Sequence, residues 1–217
     1  MKNLEYTLYW EAFSGAIAPQ AMFEEMGVAF RKLPVDMARS EHKGPEYLHV
    51  NPTGQVPALR LPDGSVISES AAIVLVLGEL HPQSRLVPLS GSSDRAEFLR
   101  WLIYMATTGY MTLKRACHPE RFTVDEASIE SVRLAAIRDI GRCFDVLDNA
   151  IDGTSYFLSS GFSALDIYLC MLAVFHPDKP DLFARWKRID VLCKAVRERP
   201  ACARVFDEHT AILELPA

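Results

Sequence analysis

Two hydrophobic rhythms divide the chain. Up to about residue 80 the pattern of apolar positions switches at short intervals, and beyond residue 94 it keeps one helical period. Tyr6 to Trp10 reads as a short strand. Ala18, Ala21, Met22 and Met26 recur at helical spacing and predict a helix over Ala16–Met26. Gly27 follows in the position where a left-handed residue closes a helix. The run "VAFRKLPV", carried by Phe30 and Leu33, predicts a second strand. Leu59 and Leu61, the turn Pro62 to Gly64, then Val66 and Ile67 predict a hairpin. "SESAAIVLVLGEL" predicts a helix opening at Ser68, a residue type that caps helices well. The order is β-α-β, an interval, then β-β-α. A strand–helix–strand unit implies a right-handed crossover between parallel strands. The hairpin adds antiparallel pairing, so the expected sheet is small, mixed and four-stranded.

The strand signals stop at the proline- and serine-rich stretch 81–93, "HPQSRLVPLSGSS", which reads as a linker. The expected division is a domain over 1–80, a linker over 81–93 and an all-helical domain over 94–217. Helices are predicted over Asp94–Ala116, over Asp125–Ala150, from Ser163 onward, and over Asp190–Arg199 and Ala201–Leu213. In the second of these, Ile129, Val132, Ala136, Ile140, Phe144 and Leu147 share one face. In "SALD", Ser163 is placed to cap the third helix and Asp166 to bond back, a capping box with Asp in place of Glu.

Composition narrows the function classes. A chain of 217 residues that is 49% hydrophobic and 24% charged is long enough to bury a real core. Its net charge of −5, without a basic patch, argues against nucleic acid or an anionic membrane surface as partner. The longest apolar run, Ile167 to Phe175, is too short to span a bilayer. The start "MKNLEYTLYW" carries no signal-peptide core. Five dispersed cysteines without a CxxC read as reduced thiols, so the expected compartment is the cytoplasm. The six histidines show no metal-ligand spacing, and no metal site is expected.

Candidate chemistry concentrates in two short segments. "NPTGQVPAL", Asn51 to Leu59, places two prolines, a glycine and a glutamine just ahead of a strand, where proline withholds a ladder N–H. "SES", Ser68 to Ser70, places a carboxylate and hydroxyls at a predicted helix start, where free amides and the dipole favour an anion. Ser14 stands at the mouth of the first helix, because Pro19 is tolerated only near a helix start. Tyr9 stands at the end of the first strand.

The β-α-β, β-β-α order, "NPTGQVPAL", "SESAAI" and "SALD" together resemble the cytosolic glutathione S-transferases. "SGAIAP" and "MATTGYMTLKRACHPERF" are most similar to bacterial members. The resemblance covers essentially the whole chain. It implies a thioredoxin-like glutathione domain with a mixed four-stranded sheet, followed by an all-α helical bundle, and a homodimer. It implies glutathione as co-substrate, an electrophilic, apolar small molecule as second substrate, and detoxification as the setting. By the resemblance Pro57 follows a cis peptide and Val56 offers its backbone to the cysteinyl part of glutathione. Glu69 and Ser70 receive the γ-glutamyl end, and Gln55 the glycine end. Tyr104 and Thr108, in the first long helix of the second domain, fall where the family faces the sulfur.

The thiol's helper stays open between Ser14, Tyr9 and no side chain at all. Cysteine-type bacterial members carry their cysteine where this chain has Gly15. Beside conjugation stand two alternatives: a glutathione-binding protein of this fold without transferase turnover, and a glutathione-dependent reductase or peroxidase, which would want a cysteine near the first helix.

Overall fold

The computed structural model describes residues 5–211. They cluster into two compact units. One is formed by residues 5–89 together with 197–211, and the other by residues 90–196.

The first unit is built on four strands: β1 (Tyr6–Trp10), β2 (Phe30–Pro34), β3 (Ala58–Arg60) and β4 (Val66–Ser68). Their order is β2-β1-β3-β4, with β1 parallel to β2 and antiparallel to β3, and β3 antiparallel to β4. This is the small mixed sheet that the alternating pattern predicts. Within residues 5–89 the strands are accompanied by α1 (Ile17–Met26), α2 (Pro45–Val50) and α3 (Ser70–Leu80), with single 3-10 turns at Glu41–Lys43 and Pro82–Ser84. Gly27 ends α1 at φ 63°, and its N–H returns to the last turn.

Strand alternation explains the core. Tyr6 and Leu8 are buried, while Thr7 and Tyr9 are partly open. Tyr6 meets Phe23 of α1 with ring centroids 5.1 Å apart, and Phe23 stacks on Phe30 at 4.5 Å. Ile17, Ala21, Met22, Leu59, Ile73 and Leu77 close this core with no exposed surface. α3 is held against the chain that follows it by Gly78. A β-carbon there would lie 2.3 Å from Val87 Cγ2.

The start of α3 differs from expectation. Ser68 is the last residue of β4 and does not cap the helix. Glu69 occupies the cap position at φ 68°, ψ 109°, and α3 begins at Ser70. α2 lies in the interval for which no element is expected.

The last described helix, α10 (Pro200–Thr210), also belongs to this unit, where it packs along α1. The sequence places it in the 94–217 region as a helix over Ala201–Leu213; residues 212–213 lie outside the described residues. Cys202, Val205 and Phe206 bury its inner face. A polar cluster fixes it. His209 Nε2 lies 3.0 Å from Gln20 Oε1, Gln20 Nε2 donates to Glu208 Oε2 at 2.7 Å, and Lys32 pairs with Glu208. At the other end of α1, Arg199 pairs with the buried Glu25.

The second unit is helical. α4 (Arg95–Tyr104) runs through a π-helical segment (Met105–Gly109) into α5 (Tyr110–Cys117), where the sequence predicts one helix. α6 (Ile129–Ala150), α7 (Ala164–Val174), α8 (Lys179–Arg185) and α9 (Lys187–Arg197) follow. α6 buries Ala136, Ile140, Phe144 and Leu147, all members of the expected face, and Cys143. Residues 164–173 of α7 are all buried. Gly109 brings the π segment against α7, since a β-carbon there would fall 3.0 Å from Leu172 Cδ1.

The expected capping box is present. Ser163 Oγ accepts the Leu165 N–H at 3.2 Å, and Asp166 accepts the Ser163 N–H at 2.7 Å.

Candidate functional site

Sheet register gathers the predicted residues of the first unit. Tyr9 pairs with Ala58, and Ala58 pairs with Ser68, so three neighbouring strands present one end together. At that end β1 runs on toward Ser14, the chain enters β3 from Val56 and Pro57, and β4 leads into Glu69 and Ser70. The sequence could propose each residue separately. The register sets side by side the strand ends from which they continue.

The Val56–Pro57 peptide is cis. Among the described residues, neither the Val56 N–H nor its C=O takes part in a backbone hydrogen bond, and β3 pairing begins only at Ala58. Pro57 is buried and Val56 half-buried. One residue at a strand entrance thus keeps both main-chain groups uncommitted, a geometry suited to receiving an extended peptide.

Glu69 is exposed at positive φ between β4 and α3. A non-glycine residue in that region is uncommon and marks a position fixed by its surroundings. The Glu69 carbonyl accepts the Ile73 N–H at 2.9 Å, which begins the helix ladder. Ser70, at the head of α3, shares the helix end whose dipole favours a carboxylate.

Gln55 points its side chain outward, while its carbonyl is held. Tyr47 Oη donates to it at 2.6 Å and Asn51 Nδ2 at 2.7 Å. Burial pushes the Tyr47 hydroxyl up to about 12, so it keeps its proton as a donor. Tyr47 carries no periodic or motif signal, and Asn51 enters only as the first residue of the segment Asn51 to Leu59. The Asn-Pro start of the motif marks only a turn.

Of the two hydroxyls, Ser14 stands before α1 as expected. Its Oγ donates to the Glu11 carbonyl at 2.7 Å and accepts the Ala16 N–H at 3.2 Å. The formal cap position is Ala16, which makes no side-chain cap bond. Tyr9 lies on the sheet face opposite Tyr6 and Leu8. Its ring sits edge-on to Tyr47 with centroids 6.0 Å apart, and the Arg60 guanidinium lies 5.9 Å from its ring centre.

Tyr104 and Thr108 belong to the second unit. Tyr104 ends α4, edge-on to Trp101, and burial, with Cys143 beside it, pushes its hydroxyl up to about 12. Thr108 is exposed in the π segment, where its carbonyl accepts Thr112 Oγ1 at 2.6 Å.

No cluster of His, Cys, Asp or Glu able to hold a metal exists among the described residues. No described helix is long and apolar enough to cross a membrane. A cavity of about 350 Å³ opens at the opposite end of the sheet, among Thr7, Arg31, Arg60 and Asp63, away from the predicted residues.

Comparison with known proteins places this arrangement in context. A family model described as the N-terminal domain of glutathione S-transferases matches residues 19–80. The glutathione S-transferase GstA of Escherichia coli O157:H7 is 33% identical over 119 residues, 53% of this chain and 59% of that protein. The match therefore spans less than two thirds of that relative's length. Among solved structures, a glutathione transferase homologue from Sulfitobacter with bound glutathione superposes with a TM-score of 0.85 at 25% identity, covering 94% of this chain and 98% of that one. A sphingomonad glutathione S-transferase complexed with glutathione gives 0.78 at 26% identity, covering the same shares.

Proposed function

The chain belongs to the glutathione S-transferase family, and on that premise we propose that it binds glutathione at the Val56–Ser70 end of its sheet and transfers the thiolate to an electrophilic, apolar small molecule. The observation that carries the proposal is the uncommitted backbone of Val56 at the strand end that β3 shares with β4, where the chain passes through Glu69 into the head of α3. A tripeptide with a free ammonium, a free carboxylate and a central amide matches those three features. Val56 pairs with the cysteinyl main chain, Glu69 with the γ-glutamyl ammonium, and the α3 amides with the γ-glutamyl carboxylate. Gln55 reaches the glycine end.

The chemical step forms a carbon–sulfur bond. The thiol first gives up its proton to solvent, and the thiolate attacks the electrophilic carbon, whose leaving group departs with the electron pair. A free thiol has a pKa of about 8.5. Lowering it by about two units takes roughly 2.7 kcal/mol of preference for the anion. One charge-assisted hydrogen bond supplies about 1.5–3 kcal/mol. Ser14, at the mouth of α1, is the proposed donor, with Tyr9 as the alternative.

One observation favours binding without turnover as a second reading: the Ser14 hydroxyl is already donated to the Glu11 carbonyl. It must turn away from that acceptor to serve a sulfur. The reductase or peroxidase reading lacks a thiol near α1's start; the unit's described cysteine is the buried Cys202 on α10.

Retention on immobilised glutathione, followed by conjugation of an aryl halide, tests these readings. Retention with turnover supports transfer. Retention without turnover supports the binding reading, and no retention removes both.

A further inference from the structure

The Gln55 carbonyl accepts two buried donors at once. Tyr47 Oη lies at 2.6 Å and Asn51 Nδ2 at 2.7 Å, and both side chains are almost fully buried, at 6% and 3% exposure. This carbonyl belongs to the same peptide unit as the Val56 N–H. Among the described residues that unit is trans, since Val56–Pro57 is the cis peptide found there. A trans peptide is planar and sets its N–H opposite its C=O. Tying the carbonyl toward α2 with two donors therefore turns the Val56 N–H the other way and holds it there. From this geometry we infer that Tyr47 and Asn51 are positioning residues for the ligand-binding amide of Val56. This deepens the proposed function and rests on it.

The rest of the loop is built to the same end. Asn51 is itself anchored, its N–H bonded to the Tyr47 carbonyl at 2.8 Å and its Oδ1 accepting Thr53 Oγ1 at 3.0 Å and Thr53 N–H at 3.2 Å. Gly54 turns the chain at φ +61°, and a β-carbon there would come within 3.0 Å of the His42 carbonyl oxygen. The loop thus reaches Gln55 with little freedom. With both lone pairs of the carbonyl engaged, a flip of this peptide would break two buried hydrogen bonds at once.

The test is a pair of variants read with two ligands. Tyr47→Phe removes one donor and keeps the ring; Tyr47→Phe with Asn51→Ala removes both. Binding is measured by calorimetry for glutathione and for an analogue whose cysteinyl–glycyl amide is a trans-alkene, which has no carbonyl for Val56 to meet. The expected result is a loss of glutathione affinity of roughly two- to tenfold for Tyr47→Phe, larger for the double variant. The analogue binds wild type and Tyr47→Phe equally, and kcat at saturating glutathione stays unchanged. Unaltered glutathione affinity in a folded Tyr47→Phe protein overturns the inference alone. Equal losses for both ligands also overturn it, since the role is then general loop stiffness. Failure of the wild type to bind glutathione overturns the proposed function, and the inference with it. If the double variant does not fold, Tyr47→Phe decides.

Discussion

Asp166 accepts the Phe157 N–H at 2.6 Å while it also closes the capping box on Ser163, and it does so with no exposed surface. One carboxylate therefore ties the start of α7 to the loop that precedes it. Replacing it by Ala leaves two buried amides without an acceptor. Asp166→Ala is expected to lower stability by about 2–4 kcal/mol and to leave glutathione affinity unchanged. Denaturant unfolding checks this; a soluble variant with the wild-type Tm contradicts it.

The same carboxyl gives a pH signature. Burial pushes it up to about 6 from an ordinary 3.8, against the pull of its hydrogen bonds. The folded state thus holds the proton longer than the unfolded state. Its contribution to stability is full below the unfolded pKa and is lost as pH rises to about 6. Unfolding free energies from pH 4 to 6 should show this falling component in the wild type, and Asp166→Asn should lack it.

His209 is expected to act with the opposite sign. It is buried among Trp10, Gln20, Glu208 and Lys32, and burial lowers its pKa to about 4. A base held neutral contributes stability above its unfolded value of 6.5, and this is lost as pH falls through about 4. His209→Phe keeps the ring against Trp10 and loses the Gln20 bond. It should cost about 1 kcal/mol at pH 7 and flatten the slope on the acid side. A slope identical to wild type would show that other groups carry it.

Gly78→Ala should destabilise the first unit by about 1–3 kcal/mol, because the new methyl meets Val87 side-chain carbons at 2.3 and 2.4 Å. Val87→Ala removes the obstruction, and adding it should recover part of the loss. A double variant no more stable than Gly78→Ala itself rules out this contact as the cause.

For the chemistry, pH–rate profiles of Ser14→Ala and Tyr9→Phe separate the two hydroxyls. The proposed Ser14 role predicts that Ser14→Ala raises the apparent thiol pKa by about two units and slows conjugation at neutral pH by roughly 25-fold, as the thiolate fraction falls, while Tyr9→Phe leaves the profile in place. An apparent pKa unmoved by either change withdraws both assignments.

The fold was legible wherever a period could be counted. β1 and α1 carry enough alternating or helical positions to declare themselves, and Gly27 marks a stop that only a left-handed residue fills comfortably. α2 was not legible, because six residues with one buried side chain, Tyr47, make no period. The start of α3 departs from its sequence pattern for a related reason. Ser68 has the chemistry of a cap, but strand pairing with Ala58 claims it, and Glu69 then bends through positive φ without a glycine to announce it. The π segment leaves the apolar pattern of its helix almost unchanged, so nothing in the sequence separates it from α-helix. The motif residues around Val56 and Glu69 could be named from the sequence. The clamp on the Gln55 carbonyl could not, since it depends on α2 and the loop meeting in space.

The packing of α10 on α1 has a consequence for how the protein is made. A nascent chain emerges from the ribosome in order, yet the first unit's closing helix begins at Pro200, long after Leu89. At about 5–20 residues per second that interval lasts on the order of ten seconds. Throughout it the flank of α1 that will receive Cys202, Val205 and Phe206 stays uncovered. The sheet-bearing half is synthesised first and finished last, and a chaperone would find that apolar flank during the wait.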